Sequence, residues 1–282
     1  MFQSAASNGH VMVAATSGGA LVVSADQGAT WQRRALPVAN SIVALTHCAD
    51  GSFVGLDYYR RIWLGDAEGR TWQSRPITGA DNPMATTCDA AGRIWVVGGR
   101  TRILSSSDRG AHWTSRQAGE DAILTTVQFL DAQHGHVTGE FGLHLATDDG
   151  GATWKKQPKL AADFYPYATV FASDREGWSA GVAGVLLHTA DGGASWQVQP
   201  NRSDAPIYAL AAIDGTVYGA GFGGQMVVLR GGEWLPYDHG KAIPGYLAAI
   251  AAHGAPSLLV AGAAGALHLI TPALPGAVAA KQ

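Results

Sequence analysis

Cysteine is nearly absent from this chain. Two residues in 282, Cys48 and Cys88, are too few for a disulfide framework. Their spacing of 40 does not match zinc-ligand patterns, so two buried thiols are the favoured expectation, with a bridge between these similarly placed inner-strand positions left open. Charge is also scarce: 15% charged against 47% hydrophobic residues excludes a disordered chain or a long coiled coil. The net charge of −3 offers no general attraction to nucleic acid or to an anionic bilayer, so neither is expected as a direct partner. A long apolar run is missing too, because Tyr246 to Ile270 is interrupted by glycines, His253 and Pro256 and reads as strands rather than a span. The opening MFQSAASNGH lacks the basic and apolar regions of a signal peptide, which leaves a cytoplasmic protein or one whose leader lies outside this sequence.

What is abundant is glycine, with 37 residues, and tryptophan, with nine. The tryptophans carry a repeat. SADQGATW, GDAEGRTW, SSDRGAHW, TDDGGATW and TADGGASW end at Trp31, Trp72, Trp113, Trp154 and Trp196, spaced 41, 41, 41 and 42, and a degenerate RGGEW ends at Trp234. Before each lie two apolar runs flanking a short turn, and the pattern recurs seven times, ending in LLVAGAAG-ALHLI. Short β-rich runs at even spacing read as antiparallel strands, four to a unit. The chain is therefore expected to be all-β, a single seven-bladed propeller over residues 1–282 with blade boundaries near 40, 80, 121, 163, 204 and 245. Blade 7 lacks the tryptophan phrase, and its fourth strand must come from Ala273 to Gln282 or from residues preceding Met1.

The repeated phrase is read as an Asp box, a structural turn. Asp26, Asp108, Asp149 and Asp191 can accept hydrogen bonds from their own turns, the next glycine can adopt positive φ, and Trp31, Trp113, Trp154 and Trp196 can bury rings between sheets. A calcium loop would need a ligand series that is missing. Blade 2 departs from the pattern, with Ala67 where the aspartate belongs.

DAQHGHVTGEFGLHLATDDGGATW and SDREGWSAGVAGVLLHTADGGASW resemble the photosystem II assembly and stability factor family of BNR-type propellers. The resemblance implies a non-catalytic ring without cofactors, exported to the periplasm or an equivalent compartment, that binds a protein subunit of a membrane complex. Such a protein would meet the membrane only through its partner and is expected to be a monomer.

Function should lie on the face away from the Asp turns, in loops on a rigid scaffold. Most turns there are small, but blade 2 has Tyr58, Tyr59, Arg60 and Arg61, and blade 3 has Arg100 and Arg102. Phe141, Tyr165, Arg202 and Phe222 add to the same face. Arg and Tyr dominate binding hot spots, and such a rim suits an acidic or C-terminal peptide. The alternative is that these arginines merely pair with Asp57, Glu120 or Asp81.

Asp boxes also occur in sialidases, so a glycan-binding or glycoside hydrolase propeller is the rival from another class. The acids Asp57, Glu120, Glu140 and Asp163 show no pairing in sequence, and no catalytic residue is assigned. His134 and His136 could share one side of a strand, but His144, His188 and His268 occupy different registers and no metal is expected.

Overall fold

A computed structural model describes residues 1–38, 40–203 and 205–272. It is a ring of seven antiparallel sheets, an all-β seven-bladed propeller. Blade 1 shows the common order: Phe2–Ser7 innermost, then Met12–Thr16, Ala20–Ser24 and Gln32–Ala35 at the rim. Six sheets have four strands, and blade 7 has three among the described residues, Leu247–Ala252, Leu258–Gly262 and Leu267–Ile270. The expected donors of its fourth strand lie outside the described residues. No helix among the described residues is long and apolar enough to cross a membrane.

The second strand of each blade is buried on both faces because it is sandwiched between neighbouring blades, which explains runs such as IWVVG and LLVAG. Apolar clusters form between blades, for example Trp63 of blade 2 with Val13, Leu21 and Val23 of blade 1. Blade 7 joins blade 1 in the same way, with Leu259 and Ala261 against Ala5, Met12 and Ala14. Ser7 Oγ lies 2.6 Å from His253 Nδ1 across that seam.

Each inner strand carries a β-bulge one residue after its start. The register jumps across Gln3, Val43, Met84, Thr125, Tyr167, Tyr208 and Ala248, one position per blade. A bulge leaves its residue unpaired and re-aims the side chain.

The aspartate turns close on themselves. Asp26 accepts from Ser24 Oγ at 2.7 Å, Thr30 N at 3.0 Å and Thr30 Oγ1 at 2.5 Å, and Asp108, Asp149 and Asp191 repeat the arrangement. In blade 2 the carboxylate comes one residue early: Asp66, not position 67, accepts from Arg70 N and from Thr71 N and Oγ1. The turn is one residue longer and the bonding survives. Blade 6 replaces the phrase with a tight hairpin at Gly231 and Gly232, both at positive φ. Trp31, Trp113, Trp154 and Trp196 are only half-buried, whereas Trp63, Trp95 and Trp234 are enclosed completely. The repeated rings cap the seams between blades and the others fill them.

Cys48 and Cys88 are not separate thiols. They form a disulfide between the inner edges of blades 2 and 3, with Cα atoms 5.0 Å apart. Of the two readings the sequence left open, the favoured thiols give way to the bridge because positions 41 residues apart lie side by side on adjacent blades, so two cysteines 40 apart meet.

Candidate functional site

The turns between second and third strands differ by blade for local reasons. In blades 3 to 7 the second strand ends in a glycine, and a Cβ at Gly98, Gly139, Gly181, Gly221 or Gly262 would come within 2.1 to 2.5 Å of a carbonyl oxygen in the incoming connection. The turn after it holds its middle residue left-handed: Arg100 at φ 54, Phe141 at 60, Ala183 at 58, Gly223 at 66 and Ala264 at 51. Blade 2 has Asp57 in place of the glycine, and this buried carboxylate builds a different turn. Its Oδ1 accepts from Tyr59 N at 2.8 Å and Arg61 N at 3.0 Å, and its Oδ2 from Asn40 Nδ2 at 2.8 Å and Trp63 Nε1 at 2.9 Å. Tyr58, Tyr59 and Arg60 are thereby displayed at the apex, all exposed.

Arg60, Arg100 and Arg102 line a single hollow of about 400 Å³ together with Ile77, Gly79, Ala80 and Asp81. Arg100 Nε lies 2.9 Å from Asp81 Oδ2, and Arg102 Nη1 donates to Ser115 Oγ at 3.2 Å. Among the described residues the Arg60 guanidinium has no ion-pair or hydrogen-bond partner. Three guanidinium groups against one carboxylate leave the hollow with a net charge of +2. Arg61 is not part of it, because its side chain lies along the sheet and donates to Ser74 Oγ at 3.1 Å. Of the acids that could have neutralised the arginines, only Asp81 does so: Asp57 is occupied internally, and Glu120 pairs with Lys156.

Tyr165 stands beside Tyr167, which lines the central channel. Burial raises its phenol above the ordinary value, with the Glu140 carboxylate and the Tyr167 and Tyr58 phenols adding to the effect. Tyr165, Tyr167, Tyr208 and Tyr246 form an arc in which successive ring centroids are 5.9, 5.5 and 6.0 Å apart. Tyr208 escaped sequence reading because it opens an inner strand rather than a loop. Alignment of the seven inner strands at their bulge is the signal that finds it.

Arg202 and Phe222 stand elsewhere, on the blade 6 sector. Arg202 is held by Glu233 at 3.0 Å and lines a separate open cavity of about 880 Å³ with His239, Lys241 and Tyr237. Phe141 and Phe222 are both more than half exposed at the apices of their turns. The ten candidate residues thus divide between the arginine turns, the tyrosine arc and the blade 6 sector, with Phe141 at the apex of its own turn.

The candidate acids do not converge. Asp57 is buried in its turn, Glu140 accepts from Ile123 N at 2.8 Å, Glu120 binds Lys156, and Asp163 is exposed in the connection to blade 5. The histidines are likewise dispersed: His134 faces Asp131, His188 faces Glu176, and His136 contacts His144 with Nδ1 3.1 Å from Nε2. No group of three or more metal-ligating side chains occurs among the described residues.

Residues 111–206 match the family described as photosynthesis system II assembly factor YCF48. No curated protein matches the sequence significantly. Among solved structures, YCF48 bound to D1 peptide superposes with a TM-score of 0.78 at 15% identity, covering 96% of this chain and 93% of that one. YCF48 from Cyanidioschyzon merolae gives 0.63 at 16% identity, covering 83% and 81%. A virginiamycin B lyase from Staphylococcus aureus gives 0.81 at 11% identity, covering 96% and 95%, so an enzyme shares the same fold.

Proposed function

We propose that this chain, a photosystem II assembly factor-like propeller by its match over residues 111–206, is a non-catalytic scaffold that binds an acidic peptide segment of a protein partner. The observation that carries this reading is the hollow in which Arg60, Arg100 and Arg102 face a single carboxylate. Guanidinium forks suit carboxylates because they donate paired hydrogen bonds in a fixed plane. The turns that carry them are held by Asp57 and by the close crossing at Gly98, so little ordering entropy opposes association. The YCF48 structure with D1 peptide supports a peptide as the partner class. The dispersal of Asp57, Glu120, Glu140 and Asp163 favours binding over glycoside hydrolysis, which requires paired carboxylates. Work outside the cytoplasm, beside a membrane complex, is supported by the family match and by the Cys48–Cys88 disulfide, since such bonds persist in oxidising compartments.

The test is fluorescence anisotropy with a labelled Glu-rich peptide, wild type against the triple variant Arg60→Ala, Arg100→Ala, Arg102→Ala. A loss of at least about tenfold, with wild-type affinity falling as salt rises, is expected. Equal affinity for both proteins sinks the reading. Capture of a membrane-complex subunit from a native membrane fraction by wild type but not by the variant tests the wider role.

A further inference from the structure

The channel mouth lies on the same face as the arginine hollow and has the opposite character. The residues lining the channel come from all seven inner strands, and none of them is charged. At its mouth stand the bulge residues, of which Gln3, Val43, Thr125, Tyr167, Tyr208 and Ala248 line the opening. Bulging turns these side chains out of the strand pleat, so one position per blade decides the chemistry of the entrance. Ala44, Ala168 and Ala209 alternate with Leu45, Thr169 and Leu210 in the same lining, and the space, mouth included, amounts to about 250 Å³.

Two of the bulge positions are tyrosines on adjacent blades, with ring centroids 5.5 Å apart at an interplanar angle of 68°. Tyr165 and Tyr246 extend the edge-to-face series on either side, and Tyr246 Oη donates to Met1 Sδ at 2.7 Å. Rings that buttress one another lose little freedom on binding and present apolar faces with polar tips, which is how tyrosine serves in recognition surfaces. Asp81, which lines the arginine hollow, precedes the blade 3 bulge residue Met84 by three positions in the same connection, so the two areas adjoin.

The geometry points to a two-part recognition in which the collar of bulge residues, with Tyr167 and Tyr208 as its contact surface, accepts an uncharged segment of the same peptide whose acidic residues occupy the arginine hollow. This rests on the peptide-binding reading above and adds a selectivity to it. Charge complementarity names the occupant: a carboxylate gains at the hollow, whereas any ionised side chain entering the neutral bore would lose its hydration without a counter-charge.

The experiment uses labelled peptides that share a Glu-Glu anchor and differ in the adjoining tail, which is Ala/Ser-only, Lys-containing or Asp-containing. Wild type is expected to favour the Ala/Ser tail by about tenfold. Tyr167→Ala with Tyr208→Ala should abolish that preference while retaining anchor-dependent binding, and Tyr167→Phe with Tyr208→Phe should keep most of it. Tyr167 is 39% exposed, and unchanged melting would confirm that the variants remain folded. A preference that persists in the Ala variant, or the absence of any tail preference in wild type, overturns the inference and leaves the arginine hollow standing. Indifference of all peptides to Arg60→Ala, Arg100→Ala, Arg102→Ala overturns the anchor instead. Displacement of the tail by a neutral oligosaccharide, with no effect of peptide sequence, would reassign the collar to a glycan and also defeat the proposal.

Discussion

Arg100 occupies a left-handed conformation, φ 54, at a turn position where blade 6 has Gly223. A side chain there costs roughly 1 kcal/mol relative to glycine, and its ion pair to Asp81 is too exposed to offset much of that. Arg100→Gly is therefore expected to raise unfolding stability by about 1 kcal/mol in urea titration while weakening acidic-peptide binding. Such opposed outcomes mark a residue kept for its surface chemistry. Asp57 predicts the reverse coupling. Removing its carboxylate strands the Trp63 indole, the Asn40 amide and two backbone N–H groups, so Asp57→Ala should cost about 3 kcal/mol or more and disorder the Tyr58 to Arg61 turn. Arg60, Arg100 and Arg102 were legible in sequence because they interrupt a series of small turns. The role of Asp57 was not, since a carboxylate satisfied by four internal donors and one facing solvent read alike as letters.

Strands and turns were the most legible elements, because alternating apolar runs and the tryptophan phrase repeat with nearly constant period. The inner bulges were hidden: Gln3, Val43, Met84, Thr125, Tyr167, Tyr208 and Ala248 share a backbone role and no side-chain chemistry. Also unmarked was the seam between blades 4 and 5. There His136 stacks on Phe171 with centroids 3.7 Å apart, and His144 meets Trp196 edge-on. Burial lowers the two imidazoles to about 4 and about 3, so both are neutral at pH 7. In the unfolded chain they titrate at 6.5; their stabilisation is present above that value and is lost as pH falls from 6.5 towards 3. The turn aspartates act in a lower window. Hydrogen bonds from the Thr30, Thr153 and Ser195 side chains, followed by those from their backbone N–H groups, hold Asp26, Asp149 and Asp191 at about 2, against 3.8 unfolded. Their contribution is full above 3.8 and lost as pH falls through 2. Melting temperature should decline in two stages on acidification, and NMR should show the His136 and His144 rings resisting protonation below pH 6.

At the scale of the whole ring, the period of about 41 residues foretold seven blades and put Cys48 and Cys88 at similar positions on neighbouring inner strands, but whether the two bridge is decided by their 5.0 Å Cα separation, which the period alone does not give. Closing a loop of 40 residues is worth about 4 kcal/mol in the chain-entropy account. Cys48→Ser with Cys88→Ser should lower stability by up to that amount, and the native chain should weigh about 2 Da less before reduction than after. The covalent bond ties blades 2 and 3, the pair that bounds the arginine hollow, whereas among the described residues blades 7 and 1 meet through side-chain packing and the Ser7–His253 and Tyr246–Met1 hydrogen bonds. Fluctuations that part the circle should therefore begin at the blade 7 to blade 1 junction, and amide exchange there should outpace exchange in blades 2 and 3. A transiently opened molecule would retain its grip on an acidic segment while giving up the collar, so breathing of the ring would free the tail of a partner before its anchor.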